Sequence, residues 1–217
     1  MVKVFLSAGH GGSDPGAVAN GLKEKDINLI TLLSCNEVLV RHGVTTILSR
    51  TKDENDPVAE EVKEANASGA ILAVSFHANA GGGDGFEGFY HSSNKDGKKL
   101  VTLAEKYVKK LGQNSRGAKT GDRLKFIRST KMTSVLFESF FLDNATDAKI
   151  GDTIPEQKLF GVAYAKAILE FLDIPYKENS NKTYSVQVGS YKNNKNAKTM
   201  LKKVQAAGFT NAFIKET

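Results

Sequence analysis

The first 175 residues predict an α/β fold, a twisted, mostly parallel mixed sheet flanked by helices, on three observations. Short apolar runs at residues 2–6, 71–76 and 134–137 have the length and Val, Leu and Phe content of strands buried on both faces. Segments with apolar residues at helical spacing lie between them. Each run is closed by a polar residue of ligand type, His10, His77 and Glu138, and strand ends are where open α/β sheets place their ligands.

The elements follow in order. After the first run and the turn Gly9-His10-Gly11-Gly12, residues Ile27, Leu29, Ile30, Leu33, Val38 and Leu39 predict a helix ending at His42-Gly43, a cation and a glycine. Residues 44–48 read as a second strand. Asp56-Pro57 opens the next helix, with an N-cap residue before proline in the first turn, and that helix runs through Ala65 to Ser68-Gly69. The strand closed by His77 comes next. Gly81-Gly82-Gly83-Asp84-Gly85 then leads to residues 86–90, expected as an adjacent strand running back antiparallel. Leu100, Leu103, Ala104, Tyr107, Val108 and Leu111 mark a helix, residues 124–127 a short strand and residues 135–138 a central one. Pro155 opens a long helix with Leu159, Val162, Ala163, Ile168, Leu169 and Leu172 on its apolar face. Asp173-Ile174-Pro175 closes the domain, and residues 176–182, polar and without period, read as a linker.

Residues 183–217 form a small C-terminal βαβ unit. Residues 184–191 alternate as a strand, Ala197, Met200, Leu201 and Val204 form a helical face, Gly208 caps it, and residues 212–214 are a last strand. So short a unit buries too little surface to stand alone. It is expected to pair with its own continuation, a second copy or the first domain.

Composition narrows the class. With 40% apolar and 25% charged residues, the chain of 217 is an ordinary globular one, with room for one domain and a small appendage. No apolar stretch approaches the roughly 20 residues that span a bilayer, so no membrane insertion is expected. Met1 leads straight into the first apolar run, without the basic segment and cleavage site of a secretory leader, so synthesis and folding in the cytoplasm are expected. The single cysteine, Cys35, lies in a helical apolar pattern and reads as a core thiol, which excludes a disulfide framework. Residues 176–217 carry eight lysines against Glu178 and Glu216, while the remainder is balanced, so the net charge of +6 belongs to the tail. Such a tail suits a polyanion or serves as a solvated, solubilising surface.

Two imidazoles and a carboxylate, His10, His77 and Glu24, are the donor set of a catalytic zinc ion with one position open, and Glu138 stands with them. Glycines let the chain turn past His10, and Asp14-Pro15-Gly16 returns it towards Glu24 at the start of the first helix. The donors are scattered, unlike those of H-E-x-x-H proteases, so spacing leaves open a reading in which each histidine is a hydrogen-bonded strand-end residue. Glu138 resists that reading, because a buried carboxylate is costly without a partner. The loop around His10 lacks the phosphate-loop form G-x-x-x-x-G-K-[ST]. His42 and His91 read as surface or helix-end residues.

Five ordered motifs carry a resemblance: Ser-Ala-Gly-His10-Gly-Gly-Ser-Asp-Pro-Gly-Ala, Gly21-Leu-Lys-Glu24-Lys-Asp-Ile-Asn28, Leu48-Ser-Arg50-Thr, Ser75-Phe-His77-Ala-Asn79-Ala and Val135-Leu-Phe-Glu138-Ser. Over residues 2–173 the chain resembles the zinc-dependent N-acetylmuramoyl-L-alanine amidases. The resemblance implies that His10, Glu24 and His77 bind zinc (Zn2+) and that Glu138 is the catalytic carboxylate. It implies hydrolysis of the amide between N-acetylmuramic acid and L-alanine in peptidoglycan, causing cell-wall lysis. Asn79 and Arg50 would orient ligands or substrate, or make structural hydrogen bonds. The chain departs from the family at Glu60-Glu61-Val62-Lys63, where an arginine ahead of Ala65-Asn66 is usual, and at Met132-Thr133-Ser134, where a proline is usual. These departures bear on substrate contacts and not on the four key residues.

The tail, with Tyr184-Ser-Val-Gln187-Val-Gly-Ser-Tyr191, Asn196-Ala197 and Gly208-Phe209, resembles half of a SPOR-type peptidoglycan-binding module. Complete modules have two βαβ halves, so the chain is expected either to be truncated or to complete one module as a homodimer. Its lysines would add attraction to anionic wall polymers. Lacking an export signal, the chain resembles a phage endolysin or a mother-cell lytic enzyme, expected to act on the wall after membrane breach. A zinc carboxypeptidase, or another amidohydrolase on a related fold, is the alternative enzyme, but it would favour a clamp of arginine paired with asparagine or tyrosine, and Arg116, Arg123 and Arg128 match no such pattern. A non-catalytic wall-binding protein is disfavoured because all four chemical positions are intact. Nucleic acid is disfavoured because the basic tail lacks an aromatic-basic surface.

Overall fold

Strand alternation sorts the side chains of the larger unit into two cores on opposite faces of one sheet. The protein was described from a computed structural model, in which residues 2–178, 188–209 and 212–214 are described. The chain divides into two compact units, Met1–Lys177 and Glu178–Thr217.

In the larger unit, β1 (Lys3–Ala8) leads through the two-residue strands β2 (Val18–Ala19) and β3 (Leu22–Lys23) into α1 (Glu24–Arg41). Then come β4 (Thr45–Leu48), α2 (Val58–Ala67), β5 (Leu72–Asn79), β6 (Phe86–Tyr90), α3 (Lys95–Val108) and β7 (Ser115–Thr120). α4 (Lys125–Ser129), β8 (Thr133–Phe141) and α5 (Ile154–Phe171) complete it. The six-stranded sheet has the order β4-β1-β5-β8-β6-β7. β4, β1, β5 and β8 run parallel, β6 is antiparallel to β8, and β7 is parallel to β6.

Val4, Leu6, Val74, Phe76, Val135 and Phe137 enter the larger core with the apolar faces of α1, α3 and α5. Phe5, Ala73 and Leu136 enter the smaller core with Val62 and Ala65 of α2 and Phe126 and Ile127 of α4. α5 begins with a capping box between Thr153 and Glu156 and with proline in its first turn. At Gly161, a Cβ would stand 2.4 Å from the Thr31 carbonyl oxygen, so α1 and α5 pack with backbone in contact.

Alternation also places the site. On the face that holds Ala73 and Leu136, the row that follows Ser75 and Leu136 towards the C-terminal strand ends is His77 and Glu138, register partners on β5 and β8. Glu87 on β6 is opposite Glu138. The cover from α2 and α4 stops short of this row.

Several expectations need correction. His77 and Glu138 sit inside β5 and β8 rather than at their ends, because both strands continue as far as Asn79 and Phe141. Residues 124–127 are not a strand: the helix α4 starts at Lys125, and Phe126 and Ile127 sink together into the smaller core. A two-residue apolar run has no period from which to tell helix from strand. β7 was not anticipated, since its sequence SRGAKT has one apolar residue and it lies at the sheet edge. β6 does run back antiparallel, but against β8, which lies between it and β5. Pro57, not Asp56, occupies the N-cap of α2, with no side-chain cap, while the Asp56 carboxylate bonds Ser49.

The smaller unit shows α6 (Asn194–Ala206), capped by the Asn193 side chain. Residues 179–182 of the expected linker and 184–187 of the expected first strand lie outside the described residues. Residues 188–191 and 212–214 form no strand. Among the described residues, no helix is long and apolar enough to cross a membrane.

Candidate metal centre

His10 is delivered by the turn that ends β1. The Gly9 amide still bonds the Phe76 carbonyl at 3.1 Å, extending the β1–β5 ladder by one residue. His10 then adopts φ 65°, in the left-handed region that costs a non-glycine residue energy. Its imidazole Nδ1 is held by Asp14 Oδ2 at 2.8 Å. Gly9 cannot carry a side chain, because a Cβ there would stand 2.1 Å from Cε1 of His77.

Glu24 opens α1, where the helix dipole favours a carboxylate. The β2–β3 hairpin folds the chain back, so the Ala17 amide donates to Glu24 Oε2 at 3.0 Å. Asn28, one turn further along α1, donates to the Gly9 carbonyl at 2.9 Å and tethers helix to loop. Arg50 completes the frame. Buried beneath the loop, it donates to the carbonyls of Ala8 at 2.9 Å and Lys25 at 2.7 Å. Of the two roles open to Arg50, its contacts are thus structural ones.

These elements bring three of the four expected residues together. Glu24 Oε1 lies 2.8 Å from Nδ1 of His77 and 3.3 Å from Nε2 of His10. One ligand atom from each residue lies within 4.8 Å of the other two, and this is the only such group among the described residues. Zinc bonds of roughly 2.0–2.2 Å hold tetrahedral donors a little over 3 Å apart, so the set fits that ion. Glu138 flanks His77 in register, and its buried Oε2 has no hydrogen-bond partner. An orphaned carboxylate oxygen beside such a set is a group awaiting a proton, a water or a substrate.

Charge follows geometry. Burial alone would raise the Glu24 carboxyl, but the hydrogen bonds from His10 and His77 outweigh it and hold Glu24 well below the carboxylate range. The Glu24 hydrogen bond pushes His10 up to about 9, against burial and with help from Asp14. Glu138 goes the other way: burial lifts it to about 7, with Glu24 and Glu87 adding repulsion and His77 opposing.

Sequence reasoning missed two groups. Asp14 holds the outer nitrogen of His10, the orienting contact that metal-bound imidazoles need, and its place four residues after His10 was a usable signal. Glu87, in Phe86-Glu87-Gly88-Phe89-Tyr90, is a buried carboxylate that takes a hydrogen bond from Asn79 Nδ2 at 3.1 Å. Asn79 therefore serves Glu87. His42 bonds the Val38 carbonyl at 2.7 Å and stacks on Tyr176, while His91 bonds Ser93 at 2.9 Å, both outside the metal group. At the departure from the family pattern, Asn66 donates to the Ser129 carbonyl at 2.9 Å, a structural tie between α2 and α4.

The family profile described as N-acetylmuramoyl-L-alanine amidase matches residues 4–170, and a SPOR domain profile matches residues 180–217. The N-acetylmuramoyl-L-alanine amidase CwlM of Bacillus licheniformis is 33% identical over 96% of this chain and 83% of its own. An endolysin of Bacillus phage SPP1 is 36% identical over 82% of this chain and 69% of its own. Among solved structures, the catalytic domain of CwlV, an amidase of Bacillus (Paenibacillus) polymyxa, superposes with a TM-score of 0.75 at 31% identity. That match covers 81% of this chain and 100% of the other.

Proposed function

Because the chain belongs to the N-acetylmuramoyl-L-alanine amidase family, we propose that His10, Glu24 and His77 hold zinc and that Glu138 carries the proton of its reaction. The reaction is hydrolysis of the amide that joins N-acetylmuramic acid to L-alanine in peptidoglycan. The observation that carries the proposal is a single oxygen, Glu24 Oε1, touching both imidazoles, with the unpartnered Glu138 Oε2 in the adjacent strand.

Zinc in this set would polarise the scissile carbonyl and bring an attacking water's pKa towards about 7. The residues of the chain do the rest. Asp14 fixes the ring of His10, and the α1 N-terminus fixes Glu24. Glu138, lifted to about 7 by burial, stands near the midpoint of its titration at neutral pH. It takes the proton of the attacking water and returns it to the departing L-alanine amine.

Protons give the test. At pH 7 a His10 raised to about 9 is an imidazolium in the metal-free protein, and it must lose its proton to become a ligand. Calorimetric titration with zinc, repeated in buffers of different ionisation enthalpy, is expected to show one ion per chain and release of about one proton from His10. Affinity should fall as pH falls below about 9, roughly tenfold per pH unit for each proton displaced. Absence of saturable zinc binding would refute the proposed metal.

The smaller unit matches a SPOR domain, which fits peptidoglycan binding. We propose that it anchors the enzyme to glycan strands, that Lys195, Lys198 and Lys202 of α6 draw it to anionic wall polymers, and that two copies complete one module. Supporting the last point, none of its described residues is buried, and Phe209 and Phe213 are 67% and 76% exposed. We propose further that the enzyme reaches the wall after membrane breach, a reading supported by the relative named as a phage endolysin.

A further inference from the structure

A second charged cluster shares the sheet face of the metal centre, and the reaction as derived leaves it without a role. Glu87, opposite Glu138, is buried, and its Oε1 accepts a hydrogen bond from Lys119 Nζ and is ion-paired with Arg116 Nε. Its Oε2 is taken by Asn79. One cation would neutralise this carboxylate. Two converge on it, so the cluster keeps one positive charge in surplus. The guanidinium of Arg116 is also braced 5.4 Å from the centre of the Phe141 ring. The side chains of Arg116 and Lys119 remain 46% and 35% exposed, and among the described residues the terminal nitrogens of Arg116 make no hydrogen bond.

A rigid guanidinium and an ammonium with spare donors suit a carboxylate. β7 lies two strand spacings from β8, roughly 10 Å, and the side chains of Arg116 and Lys119 reach back across that gap to Glu87. The surplus charge therefore sits about one strand spacing, ~5 Å, from Glu138. In a peptidoglycan stem, the residue after L-alanine is a D-glutamate joined through its side-chain carboxyl, which leaves its α-carboxyl free or amidated. One extended residue covers roughly 3.3–3.6 Å, so this group lies near the scissile amide at a matching distance. We infer that Arg116 and Lys119, positioned by Glu87, form an anion subsite for the free α-carboxylate of that D-glutamyl residue. The inference rests on the amidase reading.

The test compares two disaccharide-tripeptide substrates that differ only in carrying D-glutamate or its α-amide, D-isoglutamine. The unmodified protein should hydrolyse the free acid with kcat/KM at least about tenfold higher, the size expected of a charge-assisted hydrogen bond. Arg116→Met and Lys119→Met, tested separately so that one cation stays on Glu87, should each bring the ratio towards unity. Because the ratio is internal to each preparation, partial misfolding leaves it unchanged. Equal rates on both substrates with the unmodified protein, or a preference that survives in both variants, would overturn the subsite. Hydrolysis of neither substrate would overturn the amidase reading on which it rests.

Discussion

Glu138→Gln is expected to slow peptidoglycan hydrolysis by roughly 10²–10⁴-fold, the range typical of a lost general base, while zinc binding is retained. The carboxylate lies beside the donor set without belonging to it: its Oε2 has no partner, whereas the atoms that converge come from His10, Glu24 and His77. The amide keeps the shape of the side chain but cannot take a proton. A stability signature accompanies the kinetic one. Glu138 is raised from 4.5 to about 7 in the fold, so its ionisation opposes folding; the cost is absent below 4.5 and complete above about 7. In the metal-free protein, Glu138→Gln should therefore be stabilising, and more so at pH 8 than at pH 4. Chemical denaturation at the two pH values, beside a free-amine assay of wall digests, checks both halves. Near-normal hydrolysis by this variant would remove Glu138 from the mechanism.

His77→Ala is expected to abolish both metal retention and hydrolysis. The ring supplies one of three ligand atoms, and its loss should weaken zinc well beyond the roughly 10–100-fold typical of changes to outer-shell partners. It also strips Glu24 of the 2.8 Å hydrogen bond that helps keep it ionised while buried. Glu24 is depressed in the fold, so its contribution to stability is present above its unfolded value near 4.5 and fades as pH falls further. The metal-free variant should thus lose stability at pH 7. Zinc content after dialysis, measured with circular dichroism to verify the fold, separates metal loss from unfolding. A folded variant that retained stoichiometric zinc would show that His77 is not a ligand.

The two predictions rest on parts of the molecule that were unequally legible. β1, β5 and β8 announce themselves as apolar runs because they are buried on both faces; α1 and α5 were legible as helices, but Leu33 and Leu159, expected on their apolar faces, are exposed. β7 has no such signature: an edge strand reading SRGAKT is defined by pairing with β6, not by its own composition. α4 hid for a related reason, since Phe126 and Ile127 are apolar neighbours that either structure accommodates. In the site, His10, Glu24, His77 and Glu138 were legible as members of ordered motifs, whereas their distances depend on the hairpin that returns Glu24 to the end of β1. Glu87 was missed because its significance lies in cross-strand register: opposite Glu138 it is part of the site, and one residue away it would face the other core. Asp14 was read as part of a turn, whereas in the fold, with His10 in the left-handed conformation, the ring nitrogen of His10 meets that carboxylate.

The account turns on a metal-dependent cut at one bond. Digestion of purified peptidoglycan with zinc-loaded and with chelated protein, followed by mass spectrometry of the products, tests it most directly. Stem peptides with a free L-alanine amine, formed only by the zinc-loaded protein, are the predicted result. Cleavage between stem amino acids, or undiminished digestion by the chelated protein, would contradict it.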